Sequence, residues 1–309
     1  MSEISSKPRQ KLQNLINRGQ NNIRLILAPP RTGSTLIETL MKNKQLVLLK
    51  LGGSLITDKN KTFAARREVI IRLGKEIKFA MRKFSGKLII AHGSGSFGHP
   101  IAKKYKIAEG VNGRGNTKGV ARVAEAAIRI NRIVIECLLK AGLPVVSFAP
   151  ASLMVAEDKL PVDSFVEPIS QSLKRGLIPV LYGDVVFDRK RGWCIFSSEK
   201  ILGVLTKVFL KSFTEVKVFY CGDTDGVYDE NGKTIKIITP ESFVKLREKI
   251  KGSTAADVTG GMLHKVEEAV MIAAKLGIET LIFSGRNKGQ LRPALEGKYI
   301  DNSTRITIG

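Results

Sequence analysis

The chain has 309 residues, enough for one large or two modest domains, and 43% of them are apolar, enough for a packed core. Its 51 Lys and Arg against 28 Asp and Glu give a formal charge of +23, of which +6 sits in residues 1–45; such a field concentrates anionic substrates. No run reaches the ~18 apolar residues of a membrane span, and no basic-aromatic stripe of the RNA-binding kind is present, so the charge is read as a general anion attractor rather than a nucleic-acid platform. Cys137, Cys194 and Cys221 are odd in number and form no CxxC pair, which argues against a disulfide framework or a zinc site and fits a reducing cytoplasm. The N-terminus carries no continuous apolar signal-peptide core.

In chain order, residues 1–22 are polar and basic with few apolar anchors, and a mobile or upstream-translated extension over 1–44 is expected. Ile23–Leu27 reads as a short strand running into Pro30-Arg31-Thr32-Gly33-Ser34-Thr35 and a helix through Leu40. That loop resembles the phosphosulfate-binding loop of sulfotransferases, but nothing downstream supports such a domain. From Leu46 onward, β and α patterns alternate. Strands are predicted at Leu46–Leu51, Lys87–Ala91, Pro144–Phe148, Ile178–Tyr182, Val216–Tyr220, Glu279–Phe283 and near Arg305–Ile308, with a hairpin over Phe187–Phe196. Helices are predicted at Arg66–Phe84, Gly119–Lys140, Ser164–Arg175, Lys200–Leu210, Glu241–Lys251 and Met262–Leu276. Strands alternating with helices imply an α/β fold, a mostly parallel central sheet sandwiched between helices, with ligands at the carboxyl ends of the strands.

Three glycine-rich turns carry the chemistry. Lys50-Leu51-Gly52-Gly53-Ser54 and His92-Gly93-Ser94-Gly95-Ser96-Phe97-Gly98-His99-Pro100 each follow an apolar strand, and Gly260-Gly261-Met262 precedes Lys265. Backbone N–H groups in such turns form anion-binding nests, and His99 adds a side chain whose charge is adjustable near neutral pH. Gly93–Gly98 formally satisfies G-x-G-x-x-G, but a dinucleotide site needs an acidic residue ~20 positions on, after a further strand. The loop Gly110–Gly115 and a long helix stand there instead. No Walker loop occurs. Three phosphate-sized turns with lysines nearby point to an enzyme that handles a triphosphate and a second phosphate together.

The ordered set is more specific than its parts: Lys50-x-Gly52-Gly53-Ser54 with Thr57 and Lys59, the His92–Pro100 element, Tyr182-Gly183-Asp184, Asp223-Thr224-Asp225-Gly226-Val227-Tyr228, and Gly260-Gly261-Met262-x-x-Lys265. It resembles the amino acid kinase superfamily from about residue 45 to the end, and the His92–Pro100 element is similar to that of the isopentenyl phosphate kinase family. The resemblance implies the amino acid kinase fold in two lobes, an acceptor lobe at 46–190 and a nucleotide lobe at 191–309. It also implies transfer of phosphate from ATP with Mg2+ to isopentenyl phosphate, in an alternative mevalonate route to isoprenoids, by a cytoplasmic homodimer. By the same resemblance Lys50 and Lys59 approach the ATP phosphates, and Gly52, Gly53 and Ser54 donate to them. Ser94 lies on the phosphate loop, Lys265 behind Gly261 holds the phosphates from the other lobe, and Asp223 and Asp225 bracket the nucleotide. Gly93, Gly98, His99 and Gly183 hold the acceptor. No protein metal ligand is assigned.

Physical chemistry agrees with a phosphate acceptor. A phosphate monoester, with its second pKa near ~6, is already mostly dianionic at neutral pH and needs no general base. What it needs is relief of repulsion between two polyanions by positioning and cations. One departure stands out. Where the superfamily usually has Ser-Gly-Asp-Asp, this chain has Ser197-Ser198-Glu199-Lys200. Glu199 replaces, with one extra methylene, the aspartate that organises the lysines, and Lys200 reverses the sign of the next position. Two other readings stay open: a superfamily kinase with another phosphate, phosphonate or carboxylate acceptor, and a non-catalytic regulatory or nucleic-acid-binding homologue. Plainer readings apply to His92 as a loop anchor, His264 as a solvent-facing residue, and Val123, Ala126, Ala127 and Ile130 as helix core rather than a tail pocket.

Overall fold

In the computed structural model, which describes residues 45–107, 110, 116–252 and 261–309, strand β1 (Gln45–Leu51) is buried on both faces, as its apolar run requires. Leu46 and Leu48 join one core layer, and Val47, Leu49 and Leu51 the other, by the two-residue period of a strand. A short turn of helix, α1 (Gly53–Ile56), leads to α2 (Arg67–Ala80), which buries Ile70, Leu73 and Ile77. Strand β2 (Lys87–His92) returns parallel to β1. Next come α3 (Gly95–Lys104) and the long helix α4 (Thr117–Lys140), whose Asn116 cap accepts the Gly119 N–H at 3.0 Å. Strands β3 (Val145–Ser147), β4 (Met154–Glu157) and β5 (Leu160–Ser164) precede α5 (Glu167–Lys174). After β6 (Ile178–Tyr182), the hairpin β7 (Asp184–Asp188) and β8 (Gly192–Phe196) leads to α6 (Ser198–Phe209) and β9 (Glu215–Gly222). The chain ends with β10 (Ile237–Ile238), α7 (Pro240–Gly252), α8 (Gly261–Leu276), β11 (Thr280–Ser284), α9 (Leu291–Leu295) and β12 (Ser303–Ile306).

Among the described residues the main sheet has eight strands in the order β10-β12-β11-β9-β1-β2-β6-β3, parallel throughout except between β11 and β12. Helices α6 and α8 cover one face through Ile201, Leu202, Leu205, Val266 and Ala269. Helices α2 and α4 cover the other, with Ala126, Ile130, Val134 and Leu138 on the buried side of α4. Each fully buried Val, Leu or Ile side chain contributes roughly 1.5–3 kcal/mol, so β1, buried on both faces, is the fixed reference for its neighbours. The plain reading of Ala126 and Ile130 as core therefore holds. Val123 packs in a separate small cluster with Ile107, Val185 and Trp193. No helix among the described residues is long and apolar enough to cross a membrane.

The predicted elements appear in the predicted order, and the structure adds to and corrects them. The helix expected over Ser164–Arg175 begins only at Glu167, because Ser164 pairs with Met154 in β5. The hairpin β4–β5, part of a second sheet ordered β5-β4-β7-β8, was not predicted. Its turn residues Asp158 and Lys159 take φ of 49° and 66° without glycine. They are held by Asp188, 29 residues or more away, whose carboxylate accepts N–H bonds from Asp158, Lys159, Lys190 and Arg191 at 2.6–3.0 Å. Burial raises that carboxyl's pKa, but the four donors outweigh it and hold it at about 2. The expectations for residues 1–44, for the 111–115 loop and for Gly260 lie outside the described residues.

Candidate active site

Parallel strands end at one edge of the sheet, and four of their following glycines bond to neighbouring strand ends. Gly183 N–H donates to His92 O at 3.0 Å, Gly93 to Leu51 O at 3.1 Å, Gly52 to Cys221 O at 2.9 Å, and Gly285 to Gly222 O at 2.8 Å. The predicted loops therefore meet. A Cβ on Gly93 would lie 2.8 Å from Gly53 N, and one on Gly53 would lie 2.6 Å from Gly95 N, so only glycine permits this approach. Gly95 also sits at φ +48°. The stretch after it is not a loop: α3 starts at Gly95, so Gly98 and the exposed His99 lie on a helix rather than closing a nest. Ser94 takes φ −82°, which a side chain tolerates, and a Cβ on Gly98 would meet its Oγ at 2.5 Å.

Even numbering places Lys50 on the α6 face of β1. Ser197 caps α6 by accepting the Lys200 N–H at 3.2 Å and sets Glu199 in the first turn, where a carboxylate is favoured by the helix dipole. Lys50 Nζ and Glu199 Oε1 form a buried, hydrogen-bonded ion pair. Burial pushes the Glu199 carboxyl up, but the Lys50 ammonium, assisted by Lys265, outweighs it and holds the group at about 2. β1, α6 and α8 thus bring Lys50, Glu199 and Lys265 into one electrostatic cluster. Beneath it lies Tyr220, the register partner of Lys50 on β9, with Nζ 5.8 Å from its ring centroid. Its hydroxyl is buried with no hydrogen-bond partner among the described residues. Glu268, one turn beyond Lys265, is also buried; burial raises its pKa against the nearby Lys200 and His264.

His92 ends β2 and is fully buried, stacked on Tyr182 at 5.8 Å, with Nε2 3.2 Å from Asn131 Oδ1 and Nδ1 3.1 Å from Gly93 O. Burial lowers its pKa, and its two ring contacts make it a loop anchor. His264 is exposed. Lys59 is exposed on the loop that joins α1 to α2, and Ser54 lies in α1. Asp223 forms a bidentate pair with Arg286, and Asp225 accepts from Asn287 Nδ2 at 3.1 Å. Gly261 opens α8, placing Lys265 in its second turn. Arg286, Asn287, Tyr220 and Glu268 lie outside the sequence motifs. The first two immediately follow the β11 end, and the rule that ligands sit beyond strand ends points to them.

Asp184, buried at the start of β7 beside Gly183, accepts the Val185 N–H at 2.8 Å. Burial nonetheless pushes its carboxyl up to about 6, against the pull of N–H donors from Val185 and Ala151. The unfolded chain ionises this group near 3.8, so its effect is a loss of stability as pH rises from there through about 6. That loss reaches at most about 3 kcal/mol at neutral pH. Asp184→Asn keeps an acceptor and removes the charge. We expect it to melt above the parent at pH 8 and to match it at pH 4. A lower melting temperature at pH 8 would contradict the assignment.

Comparison with known proteins agrees with this layout. A profile of the Amino acid kinase family matches residues 45–284. An isopentenyl phosphate kinase of Methanocaldococcus jannaschii is 36% identical over 269 residues, spanning 84% of this chain and 99% of its own. One from Methanothermobacter thermautotrophicus is 32% identical, spanning 85% of this chain and 99% of its own. A crystal structure of an isopentenyl phosphate kinase superposes with a TM-score of 0.70 at 28% identity, covering 84% of this chain and 100% of that one. By its profile match and by these relatives, the chain belongs to the amino acid kinase family, on the branch of the isopentenyl phosphate kinases.

Proposed function

We propose that this chain transfers the γ-phosphoryl group of ATP to isopentenyl phosphate, giving isopentenyl diphosphate and ADP. The observation that carries this reading is the backbone contact of the Gly52-Gly53 and Gly93–Gly95 loops beside the buried Lys50–Glu199 pair. In this reading the contact joins a donor-phosphate loop to an acceptor-phosphate loop, with cations assigned to their junction. An acceptor oxygen, already ionised, forms a bond to the γ-phosphorus as the bond to the β,γ-bridging oxygen breaks, and the electron pair leaves with ADP. No base is required. Lys50, Lys59 and Lys265 neutralise the charge that spreads over the transferring group. Glu199 keeps Lys50 and Lys265 oriented. Gly52, Gly53, Ser54, Ser94 and Gly261 face the ATP phosphates, and Asp223 and Asp225 border the nucleotide.

Among the described residues no group of three His, Cys, Asp or Glu side chains gathers as a metal cage. Magnesium would enter with ATP and would supply charge neutralisation on its phosphates, as suits a cation that keeps its waters and needs few protein ligands. The acceptor lobe 46–190, the nucleotide lobe 191–309, a homodimer and a cytoplasmic setting belong to the same proposal. The three buried free cysteines agree with a reducing compartment.

His99, with Gly93, Gly98 and Gly183, is assigned to the acceptor phosphate. Steady-state kinetics with isopentenyl phosphate test this. We expect His99→Ala to raise KM for isopentenyl phosphate at least tenfold more than KM for ATP, on the order of one lost charge-assisted hydrogen bond. Equal effects on both would remove His99 from the acceptor site.

A further inference from the structure

The loop between α1 and α2 carries Lys59 and also contains Phe63 at φ +57°, a conformation that an aromatic residue adopts only when its surroundings impose it. Three contacts impose it. The Phe63 ring stands edge-on to Phe97 of α3, with centroids 5.3 Å apart and planes at 89°. The Arg129 guanidinium of α4 lies 4.9 Å from the same ring's centroid. The Phe63 N–H donates to Ser96 O at 3.3 Å.

The last contact has a cause in the sequence. Within α3, Ser96 O would ordinarily accept from the residue four positions on, but that residue is Pro100, which has no N–H. The proline of the acceptor motif thereby leaves a carbonyl for the Lys59 loop to take. The other side of the same residue is held as well. Ser96 N–H donates to Thr57 Oγ1 at 3.0 Å, and Thr57 Oγ1 donates to Gly53 O at 2.7 Å. The loop's own base is closed by Asp58 N–H to Ala64 O at 2.8 Å and by Arg66 Nη1 to Ser54 O at 3.2 Å. One residue of the acceptor helix is thus gripped at both its N–H and its C=O by the loop that carries Lys59, and through Thr57 it is tied to the Gly52-Gly53 loop.

We infer that Phe63 is a positioning residue for phosphoryl transfer: its strained, clamped seat on Phe97 and Arg129 fixes Lys59 relative to the acceptor helix. This rests on the proposed kinase reading for what Lys59 touches, though the clamp itself does not. Were the ring only apolar cover for Phe97, its loss would change stability and leave the catalytic parameters alone. A clamp predicts a different pattern.

The experiment compares the full chain with Phe63→Gly, which accepts the positive φ but lacks the ring, and Phe63→Tyr, which keeps the ring edge and face. With MgATP and isopentenyl phosphate, we expect Phe63→Gly to lower kcat by ~10–100-fold, the scale of a roughly 1 Å misplacement, with KM for ATP nearly unchanged. Phe63→Tyr should restore kcat to within about threefold of the parent. In the absence of any substrate, amide exchange at Ser96 should quicken at least tenfold in Phe63→Gly, because its hold on the loop loosens. If the parent turns over isopentenyl phosphate and Phe63→Gly keeps parental kcat, the inference is overturned. If the parent fails on that acceptor, the kinase reading fails. The exchange arm still decides the clamp, since unchanged Ser96 protection overturns it and faster exchange supports it.

Discussion

Glu199→Ala should be the most damaging single substitution in this chain, costing on the order of 3–5 kcal/mol of stability. The reason is what it leaves behind. Lys50 stands on a strand buried on both faces, and Glu199 is its hydrogen-bonded counter-ion. Without it, a lone ammonium has to be kept in an apolar interior or give up its proton, and either way the cation we assign to the ATP phosphates is lost. Glu199→Gln keeps the shape and removes the charge, so it should lose activity more than it loses stability. Glu199→Asp, the residue that the family pattern has at this place, should keep the fold and much of the rate. Urea unfolding at pH 7 together with ADP release measures all three. The pH dependence has a definite sign. Because pairing with Lys50 holds the folded carboxyl at about 2 against 4.5 when unfolded, the stabilisation is complete above pH 4.5 and is lost as pH falls toward 2. Parental stability and rate in Glu199→Ala would contradict the role of the pair.

Lys59→Ala should act in the opposite way, sparing stability and removing rate. Lys59 is exposed on its loop, so its loss removes no core packing. If it meets the transferring group, truncation raises the barrier by about 2.7–4 kcal/mol, a ~10²–10³-fold fall in kcat, as for one lost transition-state donor. KM for ATP should move little, because a contact made chiefly in the transition state does not report on ground-state binding. A short amine supplied in solution is a further check, since partial rescue of Lys59→Ala would place an ammonium at that position. Near-parental turnover would remove Lys59 from the site.

The contrast between these two lysines explains what the sequence could and could not convey. Lys50 was legible because a charge inside an apolar strand demands a partner, and Glu199 was legible because it stands where a family motif has aspartate. The sheet was legible because runs such as Leu46–Leu49 and Leu88–Ala91 are buried on both sides. Tyr220 and Glu268 were not, since a tyrosine in a strand and a glutamate in a helix carry no local sign of what faces them across the fold. The β4–β5 hairpin was hidden for a related reason: every residue of β5 is exposed, Pro161 breaks any strand pattern, and the turn is stabilised by Asp188 from another hairpin. The start of α3 at Gly95 was obscured by glycines and a proline, residues that usually mark loops. Here the Ser96 carbonyl that Pro100 leaves without a helical donor is taken by a second segment.

The central claim is that two phosphate-binding loops in backbone contact serve transfer from one phosphate to another. ADP release with MgATP and isopentenyl phosphate, beside dimethylallyl phosphate, fosfomycin and acetylglutamate, tests it most directly. The account predicts saturable turnover with isopentenyl phosphate at KM of roughly micromolar to millimolar, and little or none with the carboxylate acetylglutamate. Turnover confined to acetylglutamate, or none with any phosphate acceptor, would contradict it.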